Sequence, residues 1–240
     1  MYMPAASVSE LLHHGHQICE PHEQLGYVAS KVDEAGLLVP QDIQLRHVMD
    51  AWVQKTSLLG DDPIDSPETT AGNAAPGLTI PIFASMVAKI PTWKIVEGLL
   101  FHRIKQRAAF FLLMKLAGLQ KVLSLKPVTG ILNRSAKAMA IHLDDLEAQL
   151  GSSGGPWICG DQFTLADGGM MGILDRLREG DWLELLVHQR PVLAAYWQKL
   201  QQRPSYQAGC TDFAHSLVTE ATVELTALKQ TGRWPSESPR

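Results

Sequence analysis

The chain has 240 residues, of which 45% are hydrophobic and 19% are charged, values typical of a folded globular protein. This length suits one large domain or two small ones and allows a substantial apolar core. The formal net charge is −4 and no block of consecutive basic residues is present, so composition favours neither nucleic acid nor anionic lipid as a partner.

Cysteine usage and the lack of a long apolar run favour a cytoplasmic protein. Cys19, Cys159 and Cys210 are odd in number and widely spaced, as expected for three reduced thiols. No basic segment followed by an apolar core, the pattern of a secretory signal, is found at the start. Over residues 78–125, charged residues and a proline interrupt each apolar run before it reaches the roughly 20 residues of a spanning helix. We therefore expect no integral membrane segment.

The first predicted elements are a short hairpin and a helix. Residues 11–18 place apolar residues on both sides of a turn at Gly15, and Pro21 suits the first turn of a helix. In a strand, His14 and His16 would share one face and His13 would point to the other. Five side chains of this region are metal-capable: His13, His14, His16, Cys19 and His22. Because no partner cluster with zinc-site spacing follows, solvent-facing histidines are predicted here and no metal site.

A linker and a loop are predicted on either side of the first long helix. Residues 36–40 end in proline and predict an extended linker, after which Asp42 is suited to begin a helix. A helical period of apolar residues continues over residues 43–58. Residues 60–81 contain Asp-Asp-Pro, Ser-Pro, Gly-Asn and Pro-Gly with few apolar anchors, so an exposed loop of about 20 residues is predicted. Pro91 then starts or bends another helix.

The C-terminal half carries the strongest helical signals. Over residues 128–150, six apolar side chains recur at spacings of four and three, which predicts an amphipathic helix with a buried stripe. The stripe consists of Leu132, Ala136, Met139, Leu143, Leu146 and Leu150. Thr164 stands three residues before Asp167, the spacing of a capping box that begins the next helix. Pro191 suits the first position of a further helix, and Asp212 is predicted to cap the last one.

Several ordered motifs in this half resemble one known family. The segment Trp157-Ile-Cys-Gly-Asp-Gln-Phe-Thr-Leu-Ala-Asp167 is followed by Arg190-Pro191, Tyr196-Trp197 and Arg203-Pro204-Ser205-Tyr206. Their order and separation are similar to the C-terminal helical domain of the cytosolic glutathione transferases, which typically reads "G-D-x-F-T-x-A-D", then "R-P-x-L" and "R-P-S-F/Y". The resemblance implies an all-α fold, a helical bundle like the C-terminal domain of glutathione S-transferases.

The resemblance also implies a domain organisation. Residues 1–35 look like the last hairpin and helix of the family's thioredoxin-like domain, and residues 36–230 look like the helical domain. The composition of residues 231–240 predicts a flexible tail. We therefore expect a short N-terminal remnant of a thioredoxin-like α/β domain, without the catalytic Tyr, Ser or Cys, either in a fragment or after loss of that domain. The connection over residues 61–127 is longer than in a minimal member and is similar to the ganglioside-induced differentiation-associated branch.

Glu20 is the candidate for glutathione binding that the resemblance provides. Family members hold the γ-glutamyl end of glutathione with Glu or Gln followed by Ser. Here Pro21, which has no N–H to donate, follows Glu20, and Ser9 stands where spacing would place the family's cis-proline. The alternative interpretation is that Glu20 is an acid near the start of its helix. No catalytic residue is assigned.

The resemblance assigns the first long helix of the helical domain to the pocket for an apolar electrophile. Arg46, His47, Asp50 and Trp52 are therefore the candidate substrate-binding residues, and the alternative for the polar three is a solvated helix face. The predicted function is a glutathione transferase-like protein with glutathione as co-substrate, and a homodimer is one assembly considered. The alternatives are a non-catalytic binding or scaffold protein without a complete glutathione site and, less favoured, a histidine-rich metal protein.

Overall fold

The structure is a computed structural model that describes residues 11–18, 21–33, 36–60, 62–101 and 105–232. Within these ranges the protein is mostly helical, and its two-stranded antiparallel sheet lies near the N-terminus. The prediction of a mainly helical fold is therefore confirmed. That the hairpin and the helix after it are a remnant of a thioredoxin-like domain stays a prediction.

Two short strands are followed by a series of α-helices. The sheet is formed by β1 (Leu11–His13) and β2 (His16–Ile18). In chain order, the α-helices of the described residues are α1 Pro21–Val32, α2 Ile43–Lys55, α3 Ala71–Leu78, α4 Ile80–Lys89, α5 Thr92–Phe101, α6 Lys105–Ser124, α7 Lys126–Ser152, α8 Leu165–Glu179, α9 Leu183–Leu186, α10 Pro191–Gln201, α11 Pro204–Tyr206 and α12 Ser216–Gln230. A 3₁₀ turn at Pro63–Asp65 precedes α3, and a π-helical turn at Gln207–Thr211 follows α11.

The N-terminal hairpin forms where it was predicted, with His14 and Gly15 in its turn. His14 and Gly15 both have positive φ, 49° and 82°, as a tight two-residue turn between antiparallel strands requires. His13 is paired with His16 across the strands. His14 lies in the turn between the strands, so the alternation expected for a strand does not apply to it.

The centre of the bundle is formed by α7 and α8. The six-residue stripe predicted on α7 is buried throughout, which confirms the amphipathic helix. Burying each large apolar side chain of this kind stabilises the fold by about 1.5–3 kcal/mol. α7 packs against α3, α6, α9 and α10, while α8 packs against α1, α2, α3, α10 and α12. α8 therefore connects the N-terminal elements to the C-terminal end of the bundle.

The prediction of an exposed loop over residues 60–81 is wrong from Ala71 onwards, because α3 and the start of α4 form mostly buried helix there. Thr70 caps α3 by accepting a hydrogen bond from the Asn73 N–H at 2.9 Å. The Asn73 side chain accepts from the Leu59 N–H at 2.7 Å and donates to the Leu59 carbonyl at 2.9 Å. These bonds satisfy backbone groups of the preceding loop, so Asn73 stabilises the packing of that loop against α3.

Small residues let α3 approach its neighbours closely. A Cβ on Gly72 would lie 2.2 Å from the Ser57 carbonyl oxygen, and one on Gly77 would lie 2.0 Å from the Ser135 Oγ of α7. Neither contact is tolerated by a larger side chain. The glycines that suggested a loop are thus the residues that allow α3 into the core.

Turns at Pro91 and Gly118 divide the segment that follows. α4 ends before Ile90, whose backbone is extended next to Pro91, and α6 contains a kink at Gly118, where φ is 74°. Within the described ranges, no single helix has the length and apolar character to cross a membrane. Together, α3 and α4 meet that criterion as a pair bent by 40°.

The last helix has a different cap from the one predicted. The carboxylate of Asp212 accepts a hydrogen bond from the Gln207 side chain at 2.7 Å, within the turn that precedes the helix. α12 starts after His215, whose Nδ1 accepts from the Leu217 N–H at 3.1 Å. A histidine can cap in this way because its neutral ring offers one nitrogen as an acceptor.

Candidate functional site

The start of α8 is fixed by a buried carboxylate. Asp167 is fully buried and forms the predicted capping box with Thr164, whose N–H donates to Asp167 Oδ2 at 2.8 Å. Its Oδ1 accepts from the Ile158 N–H at 3.0 Å and from the Tyr196 hydroxyl at 2.9 Å. Burial raises the pKa of Asp167, and the hydrogen bonds from Ile158, Thr164 and Tyr196 oppose that rise. These hydrogen bonds all join Asp167 to other residues of the bundle, so this acid serves to position the helix.

The linker before α2 is attached to the same helix start. The Leu165 N–H, the first of α8, donates to the Leu38 carbonyl at 3.1 Å. The Asp33 carboxylate accepts from the N–H groups of Leu37 and Leu38 at 2.8 and 2.7 Å. Since Asp33 directly follows α1, these bonds hold the end of α1 against α8.

Two depressions flank α1 where it meets α2 and α8. The first, which we call the α1–α2 cleft, has a volume of about 310 Å³. Its lining residues are Gly26, Met49, Asp50, Val53, Gln54, Leu59 and Leu165. The second, the α1–α8 cleft, has a volume of about 410 Å³ and is lined by residues of β1, α1, α8 and the end of α2, among them Leu25, Val28, Thr56 and Gly169.

The α1–α2 cleft is small and has a mainly apolar lining. Its volume falls at the lower end of the range of ligand pockets, about 300–1,000 Å³. Most of its lining side chains are apolar, and the polar groups are the Asp50 carboxylate and the Gln54 amide. Few polar groups in an apolar setting fix the orientation of a ligand whose contact area is mainly hydrophobic.

The structure separates the four candidate residues of α2. Asp50 lines the α1–α2 cleft. By helical spacing, Arg46 and His47 share its face about one turn earlier, where both are exposed and do not line the cleft. Arg46 donates through Nε and Nη2 to the Pro40 carbonyl at 3.2 and 3.1 Å, so it holds the linker.

Trp52 belongs to the core and does not line the cleft. Trp52 lies on the opposite face of α2, packs in the core with 5% of its surface exposed, and has the Lys55 ammonium 4.5 Å from its ring centroid. Glu20 lies outside the described residues. The functional roles of these two residues, and those of Arg46 and His47, stay predictions.

Several residues of the two clefts were missed from the sequence. Met49, Val53 and Gln54 share the cleft with Asp50, and their helical spacing was the signal that could have grouped them. On α8, a Cβ at Gly169 would lie 2.4 Å from Thr56 Oγ1, so this glycine allows α8 to approach the end of α2. Three glycines within five residues, at 168, 169 and 172, were the available signal of such a close approach.

A third depression lies between the hairpin and α1. It has a volume of about 530 Å³ and is lined by His13, His14, Gln17, Ile18, Tyr27 and Lys31. The His13 Nδ1 and the Tyr27 hydroxyl are 2.8 Å apart. No group of three or more His, Cys, Asp or Glu side chains suited to hold a metal ion occurs among the residues that the structure describes.

Comparisons with known proteins agree with the motifs of the C-terminal half. A sequence profile of the glutathione S-transferase C-terminal domain matches residues 134–208. The curated glutathione S-transferase TCHQD of Arabidopsis thaliana is 35% identical over 78 residues, which make up 32% of this chain and 29% of that protein. The alignment therefore spans less than a third of that relative's length.

The fold has a counterpart among solved structures. The crystal structure of glutathione transferase F7 from Populus trichocarpa superposes with a TM-score of 0.50 and 16% sequence identity, covering 89% of this chain and 74% of that chain. At this identity the likeness concerns the fold alone. Together with the profile match from α7 to the turn after α11, it supports the resemblance predicted from the sequence: residues 134–208 match the glutathione S-transferase C-terminal domain, and the described residues have a fold similar to that of a glutathione transferase.

Proposed function

We propose that the α1–α2 cleft receives the apolar electrophile of a glutathione conjugation reaction. The single observation that supports this is the composition of the cleft, in which apolar side chains of α2 and α8 surround one carboxylate, Asp50. Conjugation requires an electrophile held next to a thiolate, so an apolar site beside the glutathione site contributes through proximity and orientation. Glutathione as co-substrate, Glu20 as its ligand and assembly as a homodimer are parts of this proposal.

In this proposal the residues of α2 bind and orient the electrophile. Met49 and Val53 contact its apolar body, and Asp50 accepts a hydrogen bond from a donor group on the ligand. Thiolate formation in glutathione needs a donor close to sulfur, which lowers the pKa of the thiol. The side chains of the described cleft include no hydroxyl or thiol that would supply this donor. No residue is therefore proposed as catalytic.

That composition favours a second candidate, a non-catalytic protein that binds apolar molecules through the same cleft. Both candidates predict apolar ligand binding, and they differ in whether glutathione binds and reacts. The alternative needs neither Glu20 nor an activated thiol.

The experiment uses a pair of matched variants. Val53→Asp places a charge in the α1–α2 cleft, whereas Val223→Asp places the same charge at an exposed position of α12. An environment-sensitive apolar dye, displaced by an aryl halide electrophile, reports on the cleft. We expect Val53→Asp to weaken binding about tenfold or more because a buried charge must be desolvated, and Val223→Asp to leave it unchanged. Equal binding by all three proteins would refute both candidates.

Two further measurements separate the candidates. Calorimetric titration with glutathione, repeated with Glu20→Ala, tests the co-substrate, and the rate of thioether formation with the aryl halide tests the reaction. Saturable glutathione binding that is lost in Glu20→Ala, together with conjugation above the uncatalysed rate, supports the transferase. Dye displacement without glutathione binding or conjugation supports the non-catalytic protein.

A further inference from the structure

Charge is distributed unevenly along the chain. Residues 69–143 contain ten Lys or Arg and one Asp or Glu, a formal charge of +9. The rest of the chain contains 11 Lys or Arg and 24 Asp or Glu, a formal charge of −13. The net charge of −4, which gave no indication of an anionic partner, therefore conceals a strongly basic segment. Such a segment attracts anionic surfaces over about a Debye length.

Large apolar side chains are exposed within this basic segment. Trp93, at the start of α5, has 64% of its surface exposed, and Leu116 on α6 has 74%. The Lys115 ammonium donates to the Ala88 carbonyl, which brings this part of α6 to the end of α4, just before the turn that leads to Trp93. We call the exposed residues around this turn the Trp93 surface: Trp93, Lys94, Val96 and Leu116.

The charged groups near the Trp93 surface leave it basic. Lys94 and Lys121 are exposed and form no ion pair with a carboxylate among the described residues, and the Lys94 ammonium is 5.6 Å from the Trp93 ring centroid. Glu97 is the acid on α5. On the neighbouring α12, Glu220 and Glu224 lie 3.3 and 3.9 Å from the Lys89 ammonium, so their charge is directed to a base of the same segment.

We propose that the Trp93 surface docks on an anionic lipid bilayer. An indole ring beside an exposed ammonium is suited to the membrane interface, where the ring enters the headgroup region and the charge stays in water. Val96 and Leu116 bury apolar area among acyl chains, whereas they offer no donor to a nucleic-acid backbone. Basic residues add attraction to anionic headgroups, worth about a fivefold gain in binding for each one near the surface. The protein docks peripherally, with its helices outside the acyl core.

Vesicle flotation tests this proposal, with phosphatidylcholine vesicles compared with vesicles that also contain phosphatidylserine. We expect the protein to bind the mixed vesicles and to be released at high salt, and the emission of Trp93 to shift to shorter wavelength on binding. Trp93→Ser and Leu116→Ser should each reduce binding about tenfold. Lys94→Gln should reduce it about fivefold.

Matched controls use equally exposed positions elsewhere. Phe213, which is 83% exposed before α12, and Lys199, which is exposed on α10, are replaced by Ser and Gln respectively. These variants should bind vesicles like the unmodified protein, and circular dichroism checks that every variant is folded. Absence of binding, binding that is equal on uncharged vesicles and insensitive to salt, or equal losses in the controls would overturn the proposal. Binding to duplex DNA with the same variant pattern, in place of vesicles, would also overturn it. None of these results depends on glutathione binding.

Discussion

Replacement of Asp167 by Ala should destabilise the protein more than any comparable exposed substitution. The change removes the acceptor for two buried N–H groups, those of Ile158 and Thr164, and for the Tyr196 hydroxyl. Each buried donor left without a partner costs about 1–3 kcal/mol, and loss of a helix cap costs about 1 kcal/mol. Relief of the desolvation of the carboxylate offsets part of this cost. We expect a net loss of about 3–4 kcal/mol, which for this chain length lowers Tm by about 10 °C.

The amide variant separates the hydrogen bonds from the charge. In Asp167→Asn, the remaining oxygen still accepts from one N–H, whereas the NH₂ group faces a donor. About half of the loss seen for Asp167→Ala is therefore expected. The assay is urea denaturation followed by circular dichroism, with Asp161→Ala as the exposed control, expected within about 0.5 kcal/mol of the unmodified protein. A loss below about 1 kcal/mol for Asp167→Ala would refute the assignment of these bonds as essential.

The pH dependence gives an independent check. Because burial raises the pKa of Asp167 above its usual 3.8, the folded state holds this proton more tightly than the unfolded state does. The contribution of this group to the free energy of unfolding is then largest below pH 3.8 and is lost as pH rises through the folded pKa. Asp167→Asn should lack this slope. An unchanged slope in the variant would assign the pH dependence to other groups.

Further predictions concern a histidine and the α3–α7 contact. Burial lowers the pKa of His142 below 6.5, so its contribution to stability is present above pH 6.5 and is lost as pH falls through that value towards the folded pKa. In a plot of the urea midpoint against pH, His142→Gln should therefore flatten the decline on the acid side. An unchanged plot would contradict this. Gly77→Ala should destabilise by about 2–4 kcal/mol through the clash with Ser135, and Ser135→Gly should restore part of the loss in a double-mutant cycle. Gly130→Ala, with open space around its Cβ, should stabilise by about 0.5–1 kcal/mol in thermal melts, and a loss as large as that of Gly77→Ala would show that the clash is not its cause.

The elements that could be predicted are those whose local signals agree with the packing. On α7 the residues that recur with the helical period are the ones that are buried. On α8 the predicted spacing of Thr164 and Asp167 corresponds to the capping box that the structure shows. In these segments the residues that start or orient the helix act within a few positions of each other. Sequence spacing is then sufficient to place them.

α3 could not be predicted because its stability depends on partners outside the helix. Gly72, Asn73 and Gly77 each favour loops when considered alone. In the folded protein Asn73 satisfies the backbone of Leu59, and the glycines fit against Ser57 and Ser135. These contacts join residues far apart in the chain, so tertiary packing overrides the local preference.

The candidate site was predicted in part. The face of α2 that carries Arg46, His47 and Asp50 follows from helical spacing. The position of the cleft along that face depends on the tertiary placement of α1, and only Asp50 among these three lines the cleft. Trp52 could not be assigned from the sequence, because a large apolar ring is suited to the core as well as to a ligand pocket. In the structure it lies in the core.

The attachment of the linker to α8 couples any separation of α1 from α2 to the start of a central helix. The first amide of α8 is satisfied by a linker carbonyl, and Asp33 clamps the two linker amides next to it. A molecule that pushes α1 away from α2 must therefore strain these hydrogen bonds and expose the start of α8. A molecule that fits between α1 and α2 leaves these hydrogen bonds intact. If the cleft binds the proposed electrophile, these hydrogen bonds limit the size of the molecule that fits without disturbing the start of α8.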